Sequence, residues 1–140
     1  MTDRRKIFLD TAPIIYYIER SKRYFDAVKK ALHSFGDADY VTSVITVGEY
    51  LTSPYRENKK EYREAFYKFL ELLDVELISV DVLIADSAAR IRAGHLGFKL
   101  MDAIQIATAA ETACDAFFTN DKQLQQYKEL EILVVEDFTS

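Results

Sequence analysis

Short apolar segments alternate along the chain with segments in which apolar residues recur every three or four positions. The apolar segments are nearly continuous, as in parallel strands whose two faces are both covered by helices. The predicted strands are residues 6–9, 40–42, 76–80, 116–119 and 132–135. The predicted helices are residues 12–19, 22–35, 44–52, 59–73, 81–93 and 100–113, with a short helix over 122–127. This alternation predicts a three-layer α/β/α sandwich on a mostly parallel, five-stranded sheet.

Local signals mark the ends of several predicted elements. Asp81 precedes an apolar helical pattern and is expected to cap its amino end. Gly36 follows another such pattern and is a natural stop. Residues 100–113 are apolar almost all round, which predicts a buried helix. No segment rich in Pro, Gly or Ser divides the chain, so we expect a single domain over residues 1–140.

Composition excludes several kinds of chemistry. The 140 residues include one Cys and two His, which leaves no internal disulfide and makes a zinc site very improbable. The net charge of −5 argues against a non-specific nucleic-acid coat. Neither a glycine-rich phosphate loop nor an apolar run of membrane-spanning length is present. We therefore expect a cytoplasmic protein without a membrane partner, in which carboxylates are the plentiful reactive groups.

Four of these carboxylates occupy unusual positions. Asp10 ends the first predicted strand and Asp121 follows the fourth, so both are expected at the edge of the sheet where ligands bind in open α/β folds. Glu49 borders the apolar stripe of the helix after the second strand. Asp102 lies in the first turn of the predicted buried helix, where the helix dipole favours negative charge.

Each acid taken alone is more typical of a turn, a helix cap or a solvated helix edge than of a ligand. Their convergence from four segments changes the interpretation. Two carboxylates about 4 Å apart repel by roughly 4 kcal/mol at an effective dielectric constant near 20. A divalent cation relieves this repulsion, and an all-oxygen site is typical of Mg²⁺, with Mn²⁺ as the alternative.

The same residues resemble a known family. The matching segments are LDTAPIIYYIE over residues 9–19, Glu49, LMDAIQIATA over residues 100–109, and TND over residues 119–121. In order and spacing they resemble the PIN-domain family, and within it the small ribonuclease toxins of VapBC-type toxin–antitoxin pairs. The resemblance spans nearly the whole chain. It departs at Met101, where a Pro is frequent, and at Gln123, where a further Asp is common.

The resemblance implies a Mg²⁺-dependent endoribonuclease that is a homodimer and is held inactive by an antitoxin protein. The catalytic and metal-binding residues that it implies are Asp10, Glu49, Asp102 and Asp121. Supporting polar residues are expected at Thr11, Thr119 and Asn120. We expect Asp10 and Asp102 to be the inner ligands. Lys99 and Lys122, which neighbour two of the acids, are candidate contacts to the phosphates of the RNA substrate.

Several alternatives remain at this point. A phosphatase of the haloacid-dehalogenase type needs a second Asp two residues after the first, where this chain has Ala12. A receiver domain needs an adjacent acid pair and a Lys on the last strand, and both are missing from the pattern. A PIN-like module that binds RNA or protein without cleaving it stays open. Tyrosines that could stack on unpaired bases, or else belong to the core or to a dimer surface, are Tyr16, Tyr17, Tyr50 and Tyr55.

Overall fold

A five-stranded sheet, parallel throughout, forms the middle layer of the fold. The computed structural model describes residues 4–139. The strands are β1 (Lys6–Leu9), β2 (Asp39–Ser43), β3 (Glu76–Ile78), β4 (Ala116–Thr119) and β5 (Glu131–Val134). They lie in the order β3-β2-β1-β4-β5. The chain therefore winds outward to one side of β1 and then to the other, which places a topological switch point between β1 and β4.

Helices cover both faces of this sheet. They are α1 (Thr11–Ile18), α2 (Phe25–Ser34), α3 (Val44–Arg56), α4 (Lys60–Leu72), α5 (Val82–Gly94) and α6 (Leu100–Glu111), with two 3₁₀ helices over Lys122–Gln126 and Val135–Phe138. The predicted α/β/α sandwich is confirmed, and all four strand pairings are parallel. None of the helices within residues 4–139 combines the length and the apolar character needed to cross a bilayer.

The two faces of the sheet bury separate hydrophobic clusters. Along β1, Ile7 and Leu9 point to the cluster under α1 to α4, whereas Phe8 points to the cluster under α5 and α6. Phe8 stacks on Phe117 of β4 with ring centroids 5.0 Å apart. Burial on both faces explains why the central strands read as continuously apolar and not as alternating.

Two helix boundaries differ from prediction by three residues or more. The helix predicted over 22–35 begins only at Phe25, because a turn precedes it in which the Ser21 hydroxyl accepts the Tyr24 backbone N–H at 3.1 Å. The helix predicted to end at residue 52 continues to Arg56 and contains Pro54. Burial of Leu51 and Pro54 against the core offsets the one helical hydrogen bond that proline cannot donate.

The bounds of the outer strands also differ from prediction. β3 ends at Ile78, two residues early, because its partner β2 has no residue beyond Ser43 with which to pair. β5 begins one residue early at Glu131, and Val135 starts a 3₁₀ helix. The short helix predicted over 122–127 is likewise a 3₁₀ helix.

Other predicted boundaries are confirmed. The Asp81 carboxylate caps α5 by accepting the Ile84 backbone N–H at 2.9 Å. Gly36 follows the end of α2 with a φ of 61°, a conformation that suits glycine. Helix α6 is buried continuously over residues 103–109, although it ends at Glu111, two residues before the predicted end.

Candidate active site

Asp10 lies directly after β1, at the switch point of the sheet. Its backbone N–H donates to the Phe118 carbonyl at 2.9 Å, which extends the pairing of β1 with β4 by one residue. Its carboxylate accepts the Thr11 backbone N–H at 2.9 Å and so caps α1. The helix-cap interpretation is therefore correct for Asp10. It does not exclude a second function, since a carboxylate has four lone-pair positions.

Hydroxyl groups hold two of the four acids. The Thr119 hydroxyl donates to Oδ2 of Asp10 at 2.8 Å, and the Thr11 hydroxyl donates to Oε1 of Glu49 at 2.6 Å. These neutral donors fix the orientation of the carboxylates and leave their negative charge in place. Both threonines are among the predicted supporting residues, and both touch an acid of the predicted set.

Asp102 and Asp121 complete the set from two other elements. Asp102 lies in the first turn of α6, where the nearby backbone of Lys99 acts to lower the pKa of its carboxylate. Asp121 follows β4, and its carboxylate caps the next 3₁₀ helix by accepting the Gln123 N–H at 3.0 Å. The Asp121 backbone N–H donates to the Thr119 hydroxyl at 3.1 Å, so Thr119 connects Asp121 with Asp10.

The four carboxylates are close enough to act on one another electrostatically. The pKa of Asp10 is raised to about 6, chiefly by burial and to a smaller extent by the charges of Glu49 and Asp102, and the hydrogen bonds from Thr119 and Thr11 oppose this rise. Burial also raises the pKa of Asp102, and the next largest cause is the charge of Asp121. Each of the four acids therefore takes part in at least one repulsive pair, and together they share one region of negative potential.

The donor set matches the chemistry of a hard divalent cation. Every predicted ligand is a carboxylate, and two of them have pKa values raised partly by their neighbours' charge. Bound positive charge would reverse that shift. In the part of the chain from residue 4 to residue 139, no three His, Cys, Asp or Glu side chains form a group arranged to hold a metal ion. The four acids therefore lie at one edge of the sheet, but their carboxylates are not arranged around a single point.

The remaining predicted site residues differ in their surroundings. Lys99 and Lys122 are exposed beside Asp102 and Asp121, and the charge of Lys99 lowers the pKa of Asp102. The Asn120 amide donates to the Tyr16 hydroxyl at 3.2 Å and accepts the Glu136 backbone N–H at 3.1 Å. Asn120 therefore ties the loop after β4 to α1 and to the carboxyl-terminal turn.

Sequence reasoning missed a layer of buried polar residues beneath the acids. Its members are Thr42, Ser43, Thr46 and Gln105, and all are at most 2% exposed. Gln105 could have been noticed as the one long polar side chain within the buried stretch of α6. The threonines and serine give no such signal, because these residue types are ordinary at the end of a strand or the start of a helix.

The tyrosines predicted as possible stacking platforms fall into different environments. Tyr50 is 2% exposed and stacks on Phe66, so its interpretation as a platform for bases is wrong. Tyr17 packs in part against Phe69 of the core. Tyr55, by contrast, is 65% exposed. The half-buried Tyr16 has its hydroxyl bound by Asn120.

Comparisons with known proteins agree with this architecture. The family model described as PIN domain matches residues 7–130. A chain of a toxin–antitoxin complex from Klebsiella pneumoniae is similar with a TM-score of 0.68 at 22% identity, over 92% of this chain and 97% of that chain. A chain of VapBC2 from Rickettsia felis, solved with a DNA fragment from the promoter, has a TM-score of 0.73 at 15% identity, over 91% and 96%. At these identities the likeness to the two structures is one of fold. No curated protein sequence matches the chain.

Proposed function

The chain belongs to the PIN domain family, and on this basis we propose that it is a metal-dependent endoribonuclease and the toxin of a toxin–antitoxin pair. The observation that carries the proposal is the gathering of four carboxylates, from four separate segments, at the carboxyl edge of one sheet. Family membership supports the nuclease activity. The toxin–antitoxin complexes among the similar structures support the biological context.

We propose that Asp10, Glu49, Asp102 and Asp121 hold Mg²⁺, or Mn²⁺ in its place. When bound, the cation supplies positive charge against the negative charge of the phosphodiester and lowers the pKa of a water molecule. Asp10 and Asp102, the half-buried members, are the inner ligands of this proposal. Glu49 and Asp121 are exposed, so they are the acids that water and substrate reach first.

The reaction proposed is hydrolysis of an RNA phosphodiester. A water oxygen bonds to phosphorus and gives up a proton, the bond from phosphorus to the 3′ oxygen breaks, and that oxygen takes up a proton, so the products carry a 5′ phosphate and a 3′ hydroxyl. The chain's own contribution is to orient the carboxylates through Thr11 and Thr119 and to attract the phosphate. Lys99 and Lys122 are placed beside two of the acids, and each supplies an exposed positive charge for this purpose.

The test is a titration of Mg²⁺ against cleavage of a panel of single-stranded RNAs, with the wild type and Asp10→Asn. We expect cleavage that needs Mg²⁺ in the wild type and its loss in the variant, because Asn keeps the helix cap but carries no charge. Asp86→Asn is the matched control, since Asp86 is an exposed acid on α5 paired with Arg90 at 3.8 Å. Activity that survives in Asp10→Asn would reject the assignment. RNA binding without cleavage would indicate a non-cleaving module.

A protein partner is the second part of the proposal. An apolar groove between α1, α2 and α4 is lined in part by Ile18, Phe25, Phe69 and Leu72, and Leu72 is 72% exposed. Exposed apolar surface of this kind is typical of protein-binding sites. We propose that a segment of the antitoxin covers it.

Co-expression tests the partner. Expression of the chain alone should arrest bacterial growth, and co-expression of a small DNA-binding protein encoded directly upstream should restore it. Leu72→Glu should weaken that rescue and leave RNA cleavage by the purified chain unchanged. Growth arrest that the upstream protein never relieves would contradict the antitoxin proposal and leave the nuclease proposal standing.

We also propose that the chain forms a homodimer. Light scattering on the purified protein should give a mass of about twice 16.1 kDa. A mass of one chain, independent of concentration, would contradict this.

A further inference from the structure

Gln105 is a long polar side chain in an otherwise apolar part of the fold. It lies on α6, one turn after Asp102, and it is 2% exposed. Its neighbours along the helix, Ile104 and Ile106, belong to the hydrophobic cluster on this face of the sheet. Burial of an amide costs free energy unless its donors and acceptor are satisfied, so its partners decide what it does.

The partners of Gln105 fix the direction of its amide. The Ser43 hydroxyl accepts the Ile45 backbone N–H at 3.0 Å, and its own hydrogen is then donated to Oε1 of Gln105 in a short hydrogen bond. The opposite end of the amide, Nε2, donates to the Thr46 hydroxyl at 2.7 Å and to Oδ1 of Asp10 at 3.5 Å. A carboxylate only accepts, so the NH₂ group must face Asp10.

The same amide reaches Glu49 through two hydroxyls. Thr46 accepts from Gln105 at 2.7 Å, and its hydroxyl oxygen lies 3.2 Å from that of Thr11 and 2.9 Å from that of Thr42. Thr11 in turn donates to Glu49 at 2.6 Å. The Thr42 hydroxyl donates its hydrogen to the Leu9 carbonyl at 2.7 Å, so Thr42 and Thr11 are both acceptors for the one hydrogen of Thr46. Gln105 therefore donates directly to Asp10, and the Thr46 and Thr11 hydroxyls connect it to Glu49.

We propose that Gln105 is a positioning residue that sets Asp10 and Glu49 relative to each other as cation ligands. The inference rests on the proposed metal-dependent function and goes beyond it, since it assigns the geometry of the ligand pair to one buried amide on a third element. One branch of the network is direct, from Gln105 to Asp10. The other passes through Thr46 and Thr11 to Glu49.

The test separates positioning from mere structural support. Gln105→Leu removes both branches at similar volume, and Thr46→Val removes only the branch to Glu49. Thr46→Ser keeps the hydroxyl and is the conservative rescue. Thr108→Val is the matched control, because Thr108 is a fully buried hydroxyl on the same helix that donates only to its own helix, to the Ile104 carbonyl at 2.7 Å.

The decisive measurement is Mn²⁺ binding by isothermal titration calorimetry, well below the melting temperature of each variant. Gln105→Leu is expected to weaken Mn²⁺ affinity by about 10- to 100-fold, the usual effect of losing a residue that orients a metal ligand. Thr46→Val should also weaken affinity, whereas Thr46→Ser and Thr108→Val should bind Mn²⁺ as the wild type does. In cleavage assays, Gln105→Leu should raise the Mg²⁺ concentration needed for half-maximal rate and leave the KM for RNA at saturating Mg²⁺ unchanged.

The outcomes distinguish this inference from the proposed function. If Gln105→Leu lowers the melting temperature yet binds Mn²⁺ with wild-type affinity, Gln105 is only structural and the inference is overturned. If the wild type binds no Mn²⁺, the proposed function fails and the inference fails with it. Should Gln105→Leu not fold, Thr46→Val against Thr46→Ser decides the question, because unchanged affinity in Thr46→Val would overturn the connection to Glu49.

Discussion

Carboxylates have different kinds of partners at the two edges of the sheet. At the amino edge, Asp39 pairs with Arg4 at 2.7 Å and Glu131 pairs with Arg5. Asp115 there accepts the Lys6 backbone N–H at 2.7 Å. At the carboxyl edge the acids are held by hydroxyl and amide donors, and no ion pair within residues 4–139 includes Asp10, Glu49, Asp102 or Asp121.

This difference shows how a protein can keep negative charge available. A cation beside a carboxylate orients it and also cancels its charge, whereas a threonine hydroxyl orients it without cancelling anything. At the amino edge, arginine side chains of the same chain neutralise the charges of Asp39 and Glu131. At the carboxyl edge, the ionised forms of Asp10 and Asp102 are destabilised by burial and by neighbouring negative charge, as their raised pKa values indicate. A bound divalent cation would stabilise these ionised forms.

The largest difference in cleavage rate is expected when one acid at each edge is neutralised and the two variants are compared. Asp102→Asn should lower the Mg²⁺-dependent cleavage rate by about 10³-fold, because several kcal/mol of charge stabilisation are lost and each 1.4 kcal/mol is about tenfold. Asp115→Asn should change that rate by less than about twofold, as expected for a surface substitution. Single-turnover rates on one RNA measure both. Equal losses in the two variants would remove the distinction between the edges.

A smaller effect is expected from the hydroxyl that connects two acids. Thr119→Val removes the donor to Asp10 and the acceptor of the Asp121 N–H. The rate should fall by about 10- to 100-fold, and Thr119→Ser should restore most of it. The comparison of Ser with Val at fixed Mg²⁺ isolates the hydroxyl from the packing of the side chain. A Thr119→Val variant with the wild-type rate would show that neutral donors are dispensable at this edge.

The pH dependence of stability provides a third test. The pKa of Asp10 rises from 3.8 to about 6 on folding, so between these values the native state binds more protons than the unfolded chain. Stability without metal should therefore fall as pH rises from about 4 to about 6, and Asp102 shifts in the same direction. In urea unfolding, Asp10→Asn should be more stable than the wild type at pH 7, with the difference shrinking toward pH 4. A wild type that gains stability over this interval relative to Asp10→Asn would contradict the shift.

The smallest effect is expected at the amino edge. Arg4 and Asp39 form an ion pair in which both side chains are more than half exposed. Arg4→Ala should lower the free energy of unfolding by less than about 1 kcal/mol and leave cleavage unchanged. Urea unfolding at low and high salt checks this, since an exposed pair is screened by salt. A large loss of cleavage in Arg4→Ala would mean that the two edges are coupled.

The fold and the positions of the acids in it could be predicted from the sequence, because both depend on local patterns. Continuous apolar strands and helical spacing predict the α/β/α layers, and strand ends predict where Asp10 and Asp121 lie. Helix ends were less predictable. The turn from Ser21 to Tyr24 and the passage of α3 through Pro54 depend on side-chain bonds and on burial that a one-dimensional pattern does not contain.

The layer of buried polar residues beneath the acids could not be predicted, because it depends on contacts between residues that are distant in the sequence. Gln105 becomes meaningful only when Thr46 and Asp10 are known to lie beside it, and those residues are 59 and 95 positions away in the chain. Likewise, the attachment of Thr11 to Glu49 joins α1 to α3. Spacing identifies the charged residues, whereas only the folded chain shows which neutral residues hold them.

The cap that Asp10 provides to α1 has a practical consequence for anyone preparing an inert reagent from this protein. Alanine at this position would remove the N-cap as well as the charge, and loss of the cap would lower the free energy of unfolding by about 1 kcal/mol. Loss of activity in such a variant could then not be separated from loss of stability. Asparagine still offers an oxygen to the Thr11 N–H. A trap for the proposed RNA substrate, or an inactive form for purification with the proposed antitoxin, should therefore carry Asn at position 10.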